Sequence, residues 1–348
     1  MNNRELIQKL NDCGTLQKEE FATLLKTYTK DDLEFARSLA VKIAKKHFGN
    51  TIYIRGLIEF TNICRQDCFY CGLRCSNSKV NRYRLSKEEI LDCCKTGYPL
   101  GFRTFVLQGG EDTFFDDDKM CDIIKSIKSE FPDCAVTLSI GERSKESYRR
   151  LFDAGADRYL LRHETANAEH YSKLHPKNLS LSSRKECLFN LKEIGFQTGC
   201  GFMVGSPYQT FETIAEDLLF IKELTPHMVG IGPFIPHKDT PFGDKPAGSI
   251  ELTLFLLALV RIMLKKVLLP STTALGTIAH DGREQGILSG ANVVMPNLSP
   301  LDVREKYMLY NNKISTGSEA AECLNDLKAR VESIGYTIAI SRGDFENK

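Results

Sequence analysis

Almost no net charge separates the two signs in this 348-residue chain: 46 Lys and Arg face 45 Asp and Glu, leaving +1. No overall field is available to grip nucleic acid or an anionic membrane, which leaves at most a local basic pocket. Long apolar runs are also missing. The longest, 252–260, is interrupted by Thr253 and closed by Glu251 and Arg261, well short of the ~18 residues a membrane span needs, and reads as a buried helix. The opening MNNRELIQKL has no apolar leader core, and low-complexity tracts, internal repeats and long linkers are absent. What is abundant is cysteine: twelve thiols, expected to be mostly reduced in a cytoplasmic protein. Taken singly, each packs as a small hydrophobe, so only spacing can give one of them a role.

The length fits about two domains of ~150 residues or one large barrel. Across 6–47 the apolar positions recur at helical spacing, most clearly at Leu33, Ala36, Ala40 and Ile43, and Gly49 supplies a stop. Beyond it, β-rich runs at 51–60, 104–108, 135–140, 158–162, 197–204, 228–234, 268–272 and 292–295 alternate with helical stretches such as 86–96, 144–154, 211–224 and 251–264. Ser86-Lys87-Glu88-Glu89 reads as a capping box at one helix start. Eight such units without a second shift in composition favour an α/β chain folded as a (β/α)8 TIM-type barrel over an open doubly wound sheet. The expected organisation is a helical N-terminal extension over 1–50, the barrel over 51–310, and a C-terminal helix and tail over 311–348 with the closing helix at 319–334. Functional groups belong at the C-terminal strand ends.

Directly after the first strand, Cys64, Cys68 and Cys71 stand on one short loop at x3 and x2 spacing. Three thiolates leave one iron of a 4Fe–4S cube without a protein ligand, free to bind a substrate or cofactor. The competing reading is a zinc knuckle completed by Cys75, at a spacing unusual for zinc. Gln108-Gly109-Gly110-Glu111 ends the second strand, where glycines allow close backbone approach to a ligand but also make ordinary turns. Arg55 sits inside an apolar strand, where a charge needs a partner or a bound anion. Tyr307 and Tyr310 are three apart and would share one face of a helix.

With Tyr70 before the third cysteine, the loop meets the pattern C-x3-C-x-aromatic-C and resembles the radical SAM superfamily. The resemblance implies a cluster whose open iron chelates the amino and carboxyl groups of S-adenosylmethionine, one-electron cleavage to a 5'-deoxyadenosyl radical, and Tyr70 packed near the adenine. It also implies that Gly109, Gly110 and Glu111 hold the methionyl ammonium and that the stretch 201–205, with Met203, contacts the adenine, although Tyr208 stands where many relatives have glutamate.

Up to about residue 310 the chain further resembles, within the biotin synthase-like branch, the HydE family of FeFe-hydrogenase maturases, through the runs 71–74, 157–165, 228–237 and 290–297. By that resemblance Thr137, Ser139, Glu164 and Arg184 hold the nucleoside and the methionine carboxylate. Arginine offers a planar fork to a carboxylate, and glutamate accepts from ribose hydroxyls or an ammonium. Arg55, Gln108, Arg162, Thr272, Thr273, Met295, Tyr307 and Tyr310 would line a substrate and anion pocket. The implied substrate is a small organometallic or cysteine-derived molecule; the implied partners are the maturases HydG and HydF and an electron donor. Some relatives bind a second cluster through three C-terminal cysteines; here only Cys323 remains and 313–318 offers no thiol, so one cluster is expected. Biotin synthase needs a second cluster inside the barrel, where the strands offer only Cys200. Methylornithine synthase, resembled around Cys75 and 82–85, holds its amino acid with an acid near strand seven, where this chain has Thr272-Thr273-Ala274. An iron–sulfur or zinc scaffold without enzymatic activity would leave the glycine-glycine-glutamate motif idle.

Overall fold

The computed structural model describes residues 1–314 and 320–346. The opening helices α1 (Asn3–Cys13), α2 (Lys18–Thr27) and α3 (Lys30–Phe48) carry side-chain caps, and Gly49 ends α3 at φ 61°. Thereafter strand and helix alternate: β1 (Thr51–Ile54), β2 (Gly56–Thr61), α4 (Lys87–Gly97), β3 (Thr104–Gly109), α5 (Asp117–Glu130), β4 (Ala135–Ser139), α6 (Lys145–Asp153), β5 (Arg158–Leu160), α7 (Ala168–Leu174), α8 (Leu181–Ile194), β6 (Gln197–Cys200) and β7 (Met203–Val204). The series continues through α9 (Phe211–Leu224), β8 (Met228–Val229), β9 (Gly232–Pro233), α10 (Ile250–Met263), α11 (Thr273–Ile278), α12 (Gly282–Ile287), β10 (Val293–Val294), α13 (Leu301–Arg304), α14 (Leu324–Ser333) and β11 (Thr337–Ala339). Ser86 and Glu89 exchange both capping-box bonds at the start of α4. The expected closing helix is α14, entered by a short 3-10 turn at Ala321–Cys323.

The central sheet is parallel in the order β2-β3-β4-β5-β6-β8. Isolated parallel bridges carry the circuit onward, Met228 to Leu268, Pro270 to Val293 of β10, and Leu57 of β2 to Asn297. The run expected at 268–272 is therefore a pair of bridges rather than a ladder. The expected first strand also divides: β1 pairs with β10 and β11, whereas β2 pairs with β3, with Arg55 between them. The runs at 197–204 and 228–234 each break in two, because Gly201, at φ 155°, brings its Cα so close to Gly230 that a Cβ would lie 1.9 Å from its carbonyl oxygen.

The N-terminal helices form an outer layer over α9 and α10. This layer explains the apolar run: every residue of α10 from Thr253 to Met263 is buried, because one face meets the barrel and the other meets α1 and α3. Among the described residues no helix is long and apolar enough to cross a membrane. Cys200 is fully buried in the core near Asp217 of α9 and does not line the chamber described below.

Candidate active site

The loop after β2 is held by side chains from its own flanks. Arg82 spans it, donating from Nη1 to the carbonyls of Asn62 (2.5 Å) and Leu73 (2.9 Å) and from Nη2 to those of Arg74 (2.7 Å) and Asn77 (3.2 Å). Asn62 Nδ2 donates to the carbonyls of Asn81 (2.9 Å) and Lys306 (2.7 Å). Arg74 forks onto Asp67, holding that carboxyl well below its usual range. Local spacing could point to the cysteines but not to Arg82, whose role depends on where four carbonyls converge.

Cys64 Sγ accepts backbone N–H groups from Gln66 and Glu111, each at 3.4 Å. Burial pushes the thiols up, Cys71 to about 12, and ligation to iron takes up their thiolate form. Three thiols on a loop with N–H···S support, Cys71 reaching the chamber, suit a three-thiolate cluster. Cys75 is exposed, and among the described residues no three His, Cys, Asp or Glu side chains surround a common point as a single metal ion requires. A cube instead takes its thiolates one per iron, spread apart. Most of the thiol-free stretch 313–318 falls in 315–319, which lies outside the described residues.

Beside the loop, at the C-terminal ends of the strands, lies a chamber of about 350 Å³. One side carries Tyr70, Gly109, Ser139, Glu164, Arg184 and Met203, together with Arg162 beside Glu164 and Arg184. Tyr70 and Met203 belong to an apolar shelf with Leu174, Phe234 and Phe242. His175 Nδ1 lies 3.0 Å from the Tyr171 carbonyl and must donate to it, so His175 Nε2 accepts the Tyr70 hydroxyl at 3.2 Å. Glu164 holds φ 62°, uncommon for a non-glycine residue, and burial raises its carboxyl pKa against the opposing pull of Arg162 and Arg184. Arg162 Nη2 is 3.3 Å from Glu164 Oε2, yet neither atom has a hydrogen bond among the described residues. Arg184 is oriented by Glu142 Oε1 at 2.5 Å and the Arg162 carbonyl at 3.1 Å.

The other side is formed by Gln108, Thr272, Thr273, Met295, Tyr307 and Tyr310. The two tyrosines lie on irregular backbone after α13, not on a shared helix face. Glu59 and Lys313 line the same wall, and neither stood out in the sequence: a lone glutamate in a strand and a lysine near a polar stretch carry no spacing signal. Besides Cys64 and Cys68, four residues expected to bind the cofactor or substrate lie off the lining. Gly110 and Glu111 pack under the loop, Glu111 Oε2 accepting from Arg65 Nε (3.1 Å) and Gln66 Nε2 (2.7 Å). Thr137 is buried on β4, its hydroxyl without a partner among the described residues. Arg55 lies off the lining too, fully buried between β1 and β2 with Nη1 2.9 Å from Met228 Sδ and Nη2 3.5 Å from the Gly343 carbonyl. Its desolvation is met there by the C-terminal segment rather than at the chamber wall.

The radical SAM superfamily profile matches residues 58–221, the stretch that carries the loop and most of the central sheet, and the chain is a radical SAM enzyme. It is 44% identical over 96% of its length to the FeFe hydrogenase maturase subunit HydE of Thermotoga maritima, covering 95% of that protein. The chain belongs to the HydE family. It is also 28% identical to the 3-methylornithine synthase of Methanosarcina acetivorans over 85% of this chain and 84% of that one. A crystal structure of methylornithine synthase superposes with a TM-score of 0.84 at 27% identity, covering 96% of this chain and 97% of that one. A structure of the maturase HydG shares the fold, with a TM-score of 0.82 at 21% identity over 97% of this chain and 76% of that one.

Proposed function

We propose that this chain is a HydE-type maturase: Cys64, Cys68 and Cys71 hold one 4Fe–4S cluster, and S-adenosylmethionine is cleaved beside it to serve assembly of the FeFe-hydrogenase active-site cofactor. The substrate is a small organometallic or cysteine-derived molecule, and the chain works in the cytoplasm with HydG, HydF and an electron donor. The observation that carries this reading is the chamber, whose lining joins Cys71 to charged and hydroxyl groups and to leucine, isoleucine and methionine side chains.

When bound, the cluster and S-adenosylmethionine supply one-electron cleavage of a carbon–sulfur bond. The protein's own contribution is positioning and exclusion. Tyr70 and Met203 offer an apolar shelf to the adenine, the Ser139 hydroxyl and the accepting carboxylate of Glu164 hold the ribose, and the fork of Arg184, fixed by Glu142, receives the carboxylate. Leu57, Leu160 and Leu161 line the chamber between these poles, keeping water and stray C–H donors from a primary carbon radical.

Anaerobic reconstitution should load about four irons per chain, and changing Cys64, Cys68 and Cys71 together to alanine should abolish both the iron and the cleavage of S-adenosylmethionine. A stable cluster in that triple variant would contradict the ligand assignment. In vitro hydrogenase activation with HydF and HydG should require this protein. Equal activation in its absence, where an authentic HydE is needed, would overturn the maturase reading.

A further inference from the structure

The two ends of the chamber are unlike. Arg162, Glu164 and Arg184 face it from one side and are used above. Across the chamber, on the wall built by β2 and residues 307–313, a second buried pair has no role yet. Glu59 is fully buried. Its Oε2 accepts from Asn297 Nδ2 at 2.9 Å, Asn297 Oδ1 accepts the Ser299 amide at 2.8 Å, and Ser299 Oγ accepts the Glu59 amide at 2.8 Å. This closed ring fixes the carboxylate. Its other oxygen lies 2.7 Å from Lys313 Nζ, with 5% of the lysine side chain exposed. Although close, both atoms lack an aligned hydrogen bond among the described residues. Thr272 Oγ1, on the same chamber, is likewise buried without a partner, and although Thr272 precedes α11 its side chain makes no capping bond.

We propose that Glu59 and Lys313 form a clamp for an α-amino-acid head group on the substrate, the amine on Glu59 and the carboxylate on Lys313, with the Thr272 hydroxyl donating to that carboxylate. The proposal rests on reading the chamber as the substrate site. An ion pair kept only for packing gains from aligning its donors and acceptors, because a desolvated charge is stabilised by the hydrogen bonds it completes. Here the two residues, paired at 2.7 Å without an aligned bond, belong to the lining of a chamber instead. A simple acid would bring a second negative charge to Glu59, and a simple amine a second positive charge to Lys313. A group carrying both charges satisfies each without disturbing the overall balance.

The test uses the cluster-reconstituted protein with one equivalent of S-adenosylmethionine and no reductant, so that the cluster cannot itself chelate the probe. L-Alanine, titrated by calorimetry, should bind saturably, with propionate and ethylamine at least tenfold weaker; this comparison needs no variant. Glu59→Gln and Lys313→Met should each weaken L-alanine at least tenfold while leaving affinity for S-adenosylmethionine unchanged. The double variant removes both charges together and should keep its thermal midpoint and iron content, so that lost binding is not lost folding. Absence of saturable L-alanine binding, equal binding of propionate or ethylamine, or undiminished binding to the double variant would overturn the clamp. Failed hydrogenase activation with intact L-alanine binding would count against the maturase reading and not against the clamp.

Discussion

A methyl group is enough to disturb the cluster loop. A Cβ at residue 110 would lie 2.3 Å from the Ile63 carbonyl oxygen and 2.7 Å from Cys64 Cβ, and backbone cannot swing aside as a side-chain tip can. Gly110→Ala should therefore cost about 1–3 kcal/mol locally and reduce iron loading at least severalfold, measured per chain after reconstitution, while circular dichroism stays native. His175 offers a second test. Burial lowers its pKa to about 3, whereas the unfolded chain takes up that proton near 6.5. Between these values the unfolded state binds more protons, so this contribution is complete above about pH 6.5 and is lost as pH falls towards 3, at about 1.4 kcal/mol per unit. The thermal midpoint should fall more steeply from pH 6.5 to 4.5 in the native protein than in His175→Gln; parallel slopes would refute the assignment. Residues whose meaning is local, such as the cysteine triplet and the Ser86 cap, were legible. Glu59, Arg82 and Lys313 were not, since their value comes from partners such as Asn297, 238 residues from Glu59, and a single charged residue otherwise reads as solvated surface.

At the scale of elements, the alternation of strands and helices was readable, and the central order from β2 to β8 follows it. The strand interruptions were not. Period-two alternation registers burial but not the stagger between neighbours, so the breaks at Arg55, Gly201 and Gly230 and the reduction of 268–272 to bridges emerge only when backbones meet. The loop between β2 and α4 is an element without regular structure, and Arg82 replaces a ladder within it by satisfying four carbonyls. Arg82→Ala should release the loop at a cost of about 2–4 kcal/mol. The rate of iron loss to a chelator should rise at least tenfold, and Arg82→Lys should recover little of it because an ammonium cannot reproduce the fork. Loss rates indistinguishable from the native protein would exclude the strut role.

Across the whole molecule, the segment after β11 seals the mouth opposite the chamber. Arg158 donates to Thr104 Oγ1 (2.9 Å), the Arg342 carbonyl (2.8 Å) and Asp344 (2.5 Å), while Arg342 reaches Asp157 at 2.7 Å and Phe345 packs edge-on to His227. Asp344→Ala would leave the buried Arg158 cation without its carboxylate, a loss of about 2–3 kcal/mol once discounted for the part-exposed aspartate. Its thermal midpoint should drop, with cleavage of S-adenosylmethionine retained at low temperature; an unchanged midpoint would show the seal to be ornamental. The same seal orders events in synthesis. β1 is among the earliest strands to leave the ribosome, yet it pairs with β11, and Arg55 just after it waits for a carbonyl 288 residues downstream. The barrel's floor cannot be laid before Gly343 reaches Arg55, so iron delivered earlier would meet a cysteine loop on an unfinished vessel.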